Sequence, residues 1–166
     1  MNWEAIGAIA ELLAAMGVIA TLAYLAVQIR QNTAAQTAST ELQKSHSWAT
    51  IHRSIAGSEA LADIWEKGFD DEQSLTPHEK RRFIWMIAEY FLIAEGMHNQ
   101  HNLGYVSGES WYQHQGVVIG MLHNPLIRRW WDGYTTPITP SFREFIDIQF
   151  KKESPAAWNW QKLSDL

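Results

Sequence analysis

Glu95, His98 and His101 are the residues whose types and spacing come closest to a metal site. Residues three positions apart share a face of a helix, and Glu-x-x-His is the unit with which helical bundles bind two iron ions. Such bundles use two of these units and two further glutamates, whereas this sequence has one unit. Further acids and histidines complete no known ligand spacing: Glu89, Glu109, His114 and His123. We favour the interpretation that Glu95 and the histidines are polar groups beside a helix seam, with a metal site as the alternative.

Motifs for other chemistry are missing from the sequence. It contains no G-x-S-x-G elbow, no Walker A loop and no dinucleotide-binding fingerprint. Gly116 and Gly120 form a small-xxx-small pair, which we expect to seat a bulky aromatic ring rather than a ligand. We therefore assign no catalytic residue and no cofactor, and expect that the protein is not an enzyme.

The composition restricts the class of partner. The chain has no cysteine, which excludes a disulfide framework and agrees with a reducing compartment. The net charge is −5, and the basic clusters are short and lie among acidic residues. Nucleic-acid binding requires a basic stripe that displaces counterions, so we expect no nucleic-acid partner.

The segment from Ala5 to Ile29 is apolar, and Glu11 is its only charged residue. A helix of about 20 apolar residues spans the hydrocarbon layer of a bilayer, so the segment predicts a transmembrane anchor over residues 1–30. A signal peptide is the first alternative, but the preceding residues are acidic and no Ala-x-Ala-like cleavage site follows. A buried core helix is the second alternative, and it would be isolated because no comparable run follows.

The flanks of the span indicate its orientation. Basic residues near a span stay in the cytoplasm, and Arg30 follows the span whereas no Lys or Arg precedes it. Trp3 lies where the span meets the outer interface, as aromatic anchors do. We therefore predict a single pass in the lipid bilayer with the C-terminal domain in the cytoplasm.

One side of the predicted span is small or polar. On a helix, a spacing of three and four residues keeps these side chains on one face. Polar side chains within a span rarely face lipid, and small residues let two membrane helices approach closely. We call this face the polar stripe, and it predicts a homo-oligomer or a larger membrane complex. Its members are Glu4, Gly7, Glu11, Ala14, Val18, Thr21, Leu25 and Gln28.

The remaining chain predicts an all-α protein, in which the anchor helix continues into a cytoplasmic helical bundle over residues 31–152. Apolar residues at helical spacing predict one buried face on the first helix: Ala35, Ala38, Leu42, Trp48, Ile51 and Ile55. We expect this helix to end at Gly57 and a short one to run from Ser58 to Gly68. Thr76-Pro77-His78-Glu79 is a capping box that opens a helix fading near Asn102.

The later part of the chain gives further helix signals. We expect one helix after Val106-Ser107-Gly108, one after Asn124-Pro125 that ends at Gly133, and one around Phe142 to Phe150, followed by a tail over residues 153–166. The sequence has nine tryptophans, and Trp65, Trp85 and Trp111 are expected in the core. Adjacent or alternate rings cannot all face one core, so we expect one member of each pair, Trp130-Trp131 and Trp158 with Trp160, to contact a neighbouring subunit, the membrane or the tail.

Several motifs resemble those of a group of bacterial proteins that have one N-terminal membrane helix, a helical cytoplasmic domain and no assigned activity. The similar segments are Trp3-Glu4-Ala5-Ile6-Gly7, Tyr24-Leu25-Ala26-Val27-Gln28-Ile29-Arg30-Gln31-Asn32-Thr33, residues 59–68, Trp130-Trp131 and residues 140–145. The resemblance spans most of the chain. It implies a bacterial inner-membrane protein, and it supplies no catalytic residue or cofactor.

Two functions follow as expectations from these patterns. The first is a scaffold or accessory interaction subunit displayed at the inner membrane. The second is a homo-oligomeric ion channel lined by the polar stripe, because rings of acidic side chains attract cations. We favour the scaffold, because a single polar stripe is also what a tightly packed helix interface requires.

Overall fold

In the computed structural model, the protein is described over residues 2–133 and 138–152. Every regular element in these ranges is an α-helix, which confirms the predicted all-α class. In chain order the helices are α1 (Trp3–Ala56), α2 (Glu59–Asp70), α3 (Pro77–Asn102), α4 (Gly108–Met121), α5 (Pro125–Asp132) and α6 (Pro140–Lys152). The predicted tail and residues 134–137 of the predicted loop lie outside the described residues.

The chain divides into two compact units, Met1–Ser39 and Thr40–Leu166. The first unit consists of the N-terminal part of α1. None of its described side chains is buried, although its sequence is strongly apolar. An apolar surface of this kind is unfavourable in water, since burial is what makes apolar side chains stabilising.

The second unit has a continuous hydrophobic core around α3. This helix packs against α2, α4 and α5, and α4 also packs against α6. Phe83, Ile87, Phe91 and Ala94 recur at helical spacing along α3 and are fully enclosed, as a helix in the middle of a bundle requires. The last turns of α1 contribute to the same core.

Local signals in the sequence account for the helix starts. Thr76 and Glu79 form the predicted capping box, in which the Thr76 backbone N–H donates to the Glu79 carboxylate at 2.8 Å. Ser58 caps α2, Ser107 caps α4, and the Asn124 side chain accepts from two backbone N–H groups of α5. These caps confirm the expected helix starts, because each satisfies donors that have no partner inside the helix.

Four predicted core positions are wrong. Ala35 and Ala38 are exposed and Leu42 is 62% exposed, so the buried apolar face of α1 begins later, with Trp48, Ile51 and Ile55. Trp85 is 72% exposed, because it lies on the side of α3 away from its neighbours, whereas Trp111 is buried as predicted. Helical location alone did not determine which side of the helix each residue occupies.

Gly68 does not end α2, contrary to the expectation from sequence. The helix continues to Asp70, and Gly68 is buried inside it. A Cβ at this position would lie 2.2 Å from the Phe83 ring. The missing side chain therefore lets α3 approach α2, which explains why glycine is needed here without a helix end.

The Trp130-Trp131 pair packs within the domain. Trp131 is fully buried and Trp130 is half-buried, and both rings contact Phe91, at centroid distances of 4.9 and 5.4 Å respectively. The Trp131 indole N–H donates to Asp147 at 2.8 Å. The guanidinium of Arg143 stacks 4.3 Å from the Trp131 ring centroid, so the pair fixes α6 on α5. The predicted pair Trp158 and Trp160 lies outside the described part of the chain.

Candidate functional site

Glu95 has a structural partner in the following part of the chain. Its side chain is 8% exposed, and its carboxylate accepts hydrogen bonds from the backbone N–H of Thr139, at 3.0 Å, and from the Thr139 hydroxyl. The Thr139 carbonyl in turn accepts the N–H of Arg143 in the first turn of α6. A carboxylate at a helix N-terminus is favourable because unpaired N–H groups point towards it. Glu95 therefore attaches the start of α6 to α3.

His98 lies among aromatic rings. Its ring centroid is 4.4 Å from that of Phe145 and 5.1 Å from that of Trp111. Its Nε2 lies 3.1 Å from the side-chain amide nitrogen of Asn102, while Nδ1 is buried and has no hydrogen-bond partner. Burial lowers the pKa of His98, the nearby His101 lowers it further, and Glu95 opposes both effects. The neutral imidazole is thus the favoured form here.

His101 faces a different partner. Its Nδ1 lies 3.0 Å from the carbonyl oxygen of Val106, in the loop between α3 and α4. Glu95, His98 and His101, the three predicted metal candidates, therefore have different hydrogen-bond partners, although both histidine rings contact Trp111. Within residues 2–133 and 138–152, no group of three or more His, Cys, Asp or Glu side chains is placed to hold a metal ion.

All members of the polar stripe lie on α1, and their side chains are exposed except for that of Gln28, which is half-exposed. Two of the polar groups are satisfied within the helix: the Thr21 hydroxyl donates to the Gly17 carbonyl at 2.8 Å, and the Gln28 amide donates to the Tyr24 hydroxyl at 3.0 Å. Glu11 has no hydrogen bond or ion pair within the described residues. Trp3 and Arg30, the predicted interface anchors, lie on the same helix and are exposed.

A cleft in the second unit was not predicted from sequence. It has a volume of 500 Å³ and is open to solvent. We call it the aromatic cleft. Its walls come from α1, α2, α3 and α4, and its main lining residues are Trp48, His52, Trp65, Tyr90, His114 and Val117.

The rings of the aromatic cleft contact one another. The Trp48 centroid lies 5.1 Å from that of Tyr90 and 4.9 Å from that of His114, and the Trp65 and Tyr90 rings stack at 5.4 Å. These distances lie in the range of favourable aromatic pairs. Trp48 and His52 are one turn apart on α1, a spacing that indicates the α1 wall of the cleft but not the residues that α2, α3 and α4 contribute.

Tyr90 and His114 are polar groups in the aromatic cleft that have free hydrogen-bonding capacity. Tyr90 is 3% exposed, and its hydroxyl makes no hydrogen bond to any described residue. Burial raises the pKa of Tyr90 to about 12, with a smaller contribution from Glu89, so the hydroxyl keeps its proton. His114 uses Nδ1 at the Ser110 carbonyl, 2.7 Å away, and leaves Nε2 unused.

Comparisons of the chain with protein-family models, with curated proteins and with solved structures found no match. The resemblance to bacterial single-span proteins stays a prediction from the sequence.

Proposed function

We propose that the protein is a single-pass protein of the bacterial inner membrane, whose cytoplasmic helical domain acts as an oligomeric scaffold or as an accessory subunit of a membrane complex. The observation that carries this proposal is the N-terminal helix. An 18-residue window of α1 has a mean hydropathy of 2.1, and none of it is buried. A helix that is this apolar and has no buried side is stable in lipid and unfavourable in water.

The alternatives for this helix account for fewer observations. A core helix of a soluble protein is mostly buried, whereas this window is exposed. A removable signal peptide ends in a cleavage site with small residues. Instead, α1 runs from Trp3 to Ala56 and so extends well beyond the apolar segment.

The polar stripe supports self-association of the anchor. Glu11 lies about 12 Å along the helix from Trp3, from the rise per residue of an α-helix. If Trp3 is at the interface, this carboxyl group lies well inside the hydrocarbon layer, where a charged residue costs about 3 kcal/mol on insertion scales. A neighbouring copy of the helix lowers this cost by removing Glu11 from lipid.

The absence of cysteine from the sequence allows a direct test by single-cysteine cross-linking in native membranes. Ala14→Cys places a thiol on the polar stripe. Ala23→Cys is the matched control, because position 23 is about two and a half turns further along and faces the opposite side. We expect oxidation to give a dimer band for Ala14→Cys and little for Ala23→Cys. Equal cross-linking of both variants, or of neither, would contradict the stripe as an interface.

Localisation is tested separately. A C-terminal reporter that fluoresces only in the cytoplasm is expected to be bright, and the protein is expected to stay in the membrane pellet after alkaline carbonate washing. A dark reporter would refute the orientation, and release by carbonate would refute the anchor.

Conductance distinguishes the scaffold from the channel. We expect vesicles containing the purified protein to show no cation current. If a current appears and Glu11→Gln abolishes it, the scaffold proposal is wrong and the channel is supported.

A further inference from the structure

We propose that the aromatic cleft is a binding site for a small, neutral, planar aromatic molecule that carries a hydroxyl or N–H group. This inference concerns the second unit alone, and it does not depend on the membrane anchor or on the proposed scaffold function. The shape of the cleft, its lack of permanent charge and the free hydrogen-bonding groups of Tyr90 and His114 support it.

The size and lining of the cleft fit a compact aromatic ligand. Small-molecule sites commonly have volumes of about 300 to 1,000 Å³ and are lined by apolar and aromatic side chains with a few polar groups. The aromatic cleft has a volume of 500 Å³, and its walls include the rings of Trp48, Trp65 and Tyr90. Aromatic faces bind another ring by offset or edge-to-face contact.

The charge of the lining selects against ionic ligands. No Lys, Arg, Asp or Glu is among the residues that line the cleft. An anionic ligand would therefore lose its hydration without gaining an ion pair, which is costly. A quaternary cation would gain from the aromatic faces, but it would make no use of the hydrogen-bonding groups on Tyr90 and His114.

His114 determines the first hydrogen bond. A carbonyl oxygen can only accept a hydrogen bond, so in the neutral imidazole the bond between His114 and Ser110 requires the proton on Nδ1. The Nε2 atom then carries a lone pair and acts as an acceptor. A ligand that donates an O–H or N–H to this atom satisfies it.

Tyr90 determines the second hydrogen bond. Its hydroxyl keeps its proton and has no partner in the described chain, so it can donate to a ligand oxygen. The indole N–H of Trp48 is already used, because it points to the Met97 sulfur at 3.3 Å. Trp48 contacts both Tyr90 and His114, so a ring lying near Trp48 can present a hydroxyl to both groups.

We would test this inference with two fluorinated probes of similar size, 4-fluorophenol and 4-fluorotoluene, by ¹⁹F NMR titration of the full chain in detergent. We expect saturable binding of 4-fluorophenol and at least tenfold weaker binding of 4-fluorotoluene, which lacks the hydroxyl. Trp85→Phe is the matched control, because Trp85 is exposed and does not line the cleft. Its affinity for 4-fluorophenol should equal that of the wild type.

Variants inside the cleft separate hydrogen bonding from shape. His114→Phe and Tyr90→Phe each remove one hydrogen-bonding group and keep a ring, so each should weaken 4-fluorophenol binding about fivefold, the usual net value of one hydrogen bond. Val117→Phe should abolish binding by filling the cleft. Circular dichroism melts identify any variant that has lost its fold. Such a variant is set aside, and the inference is judged from the binding of the remaining folded variants.

Three results would overturn the inference. The first is the absence of saturable 4-fluorophenol binding. The second is equal affinity for 4-fluorophenol and 4-fluorotoluene. The third is displacement of 4-fluorophenol by tetramethylammonium at a lower concentration than by unlabelled phenol, which would identify the site as a cation cage.

Discussion

Replacement of Gly68 by alanine tests how α2 and α3 pack. The added Cβ would lie 2.2 Å from both the Cδ2 and Cε2 atoms of Phe83. Ordinary carbon contacts are about 3.5 to 4.0 Å, so the ring or the helix must move by more than 1 Å. Phe83 is fully buried against Trp65 and Phe69, at centroid distances of 6.1 and 5.4 Å, and it has little space to move.

The energy of this substitution has three parts. Overpacking of a buried site costs about 1 to 3 kcal/mol. A shift of α2 also disturbs the hydrogen bond that the Asn124 side chain donates to the Gly68 carbonyl at 2.9 Å, which costs about 1 kcal/mol. Alanine recovers at most about 1 kcal/mol through its helix propensity. We therefore expect Gly68→Ala to lower the free energy of unfolding by about 2 kcal/mol.

Thermal denaturation of the full chain in detergent, followed by circular dichroism, measures this effect. At about 4 °C per kcal/mol, Gly68→Ala should lower the Tm by about 8 °C. Gly96→Ala is the matched control, because Gly96 lies in the interior of α3 with nothing within 4 Å of an added Cβ. It should raise the Tm by about 4 °C, since only the propensity gain applies. An unchanged or raised Tm for Gly68→Ala would refute the argument about close approach.

Three further substitutions test the capping and titrating groups. Glu95→Ala removes the acceptor of the Thr139 backbone N–H and should lower the free energy of unfolding by about 2 kcal/mol, measured by urea denaturation, with no further loss in the double variant with Thr139→Ala. Thr76→Ala removes the capping box shared with Glu79 and should cost about 1 kcal/mol; an unchanged urea midpoint would contradict the role of the cap. The lowered pKa of His98 means that the unfolded state takes up a proton at higher pH than the folded state, so stability should fall as the pH drops below about 6.5. His98→Phe should make this decline shallower, and an identical pH profile would exclude His98 as its source.

The sequence predicted the starts of helices well, because these depend on neighbouring residues. The capping box of Thr76 and Glu79 and the Asn124 cap each involve residues within one helical turn, so these residues indicate the helix start directly. Gly57 and Ser58 likewise mark the change from α1 to α2. Such local hydrogen bonds leave a signal in adjacent positions.

Burial was predicted less well, because it depends on residues far away in the chain. Trp85 is a large apolar residue in a helix, as many core residues are. It nevertheless lies on the side of α3 that faces away from the neighbouring helices. Gly68 is of the residue type that commonly ends a helix. Glycine is needed at this position for another reason, because Phe83 on another helix leaves no space for a side chain. The residues adjacent to Trp85 or Gly68 in the sequence do not indicate how the other helices pack around these positions.

The candidate sites likewise combine features that depend on local sequence with features that depend on distant residues. Glu95 and His98 were selected by their spacing on one helix, but their nearest partners, Thr139 and Phe145, lie more than 40 positions later in the chain. The aromatic cleft combines Trp48, Trp65 and His114 from three helices, so no single segment predicts it. Motif spacing identifies sites whose ligands share an element, and it misses those that tertiary packing assembles.

The structure shows which polar groups of the stripe on the predicted anchor already have hydrogen-bond partners on their own helix. Thr21 and Gln28 have partners on their own helix, Gly17 and Tyr24, so lipid exposure of these two costs less than their residue types suggest. Glu11 has none within the described residues, and it lies too far from the helix end at Trp3 to share its unpaired backbone groups. The proposed self-association of the predicted anchor therefore rests mainly on one carboxyl group, and the proposed scaffold and the alternative channel differ in whether a neighbouring helix or water surrounds it.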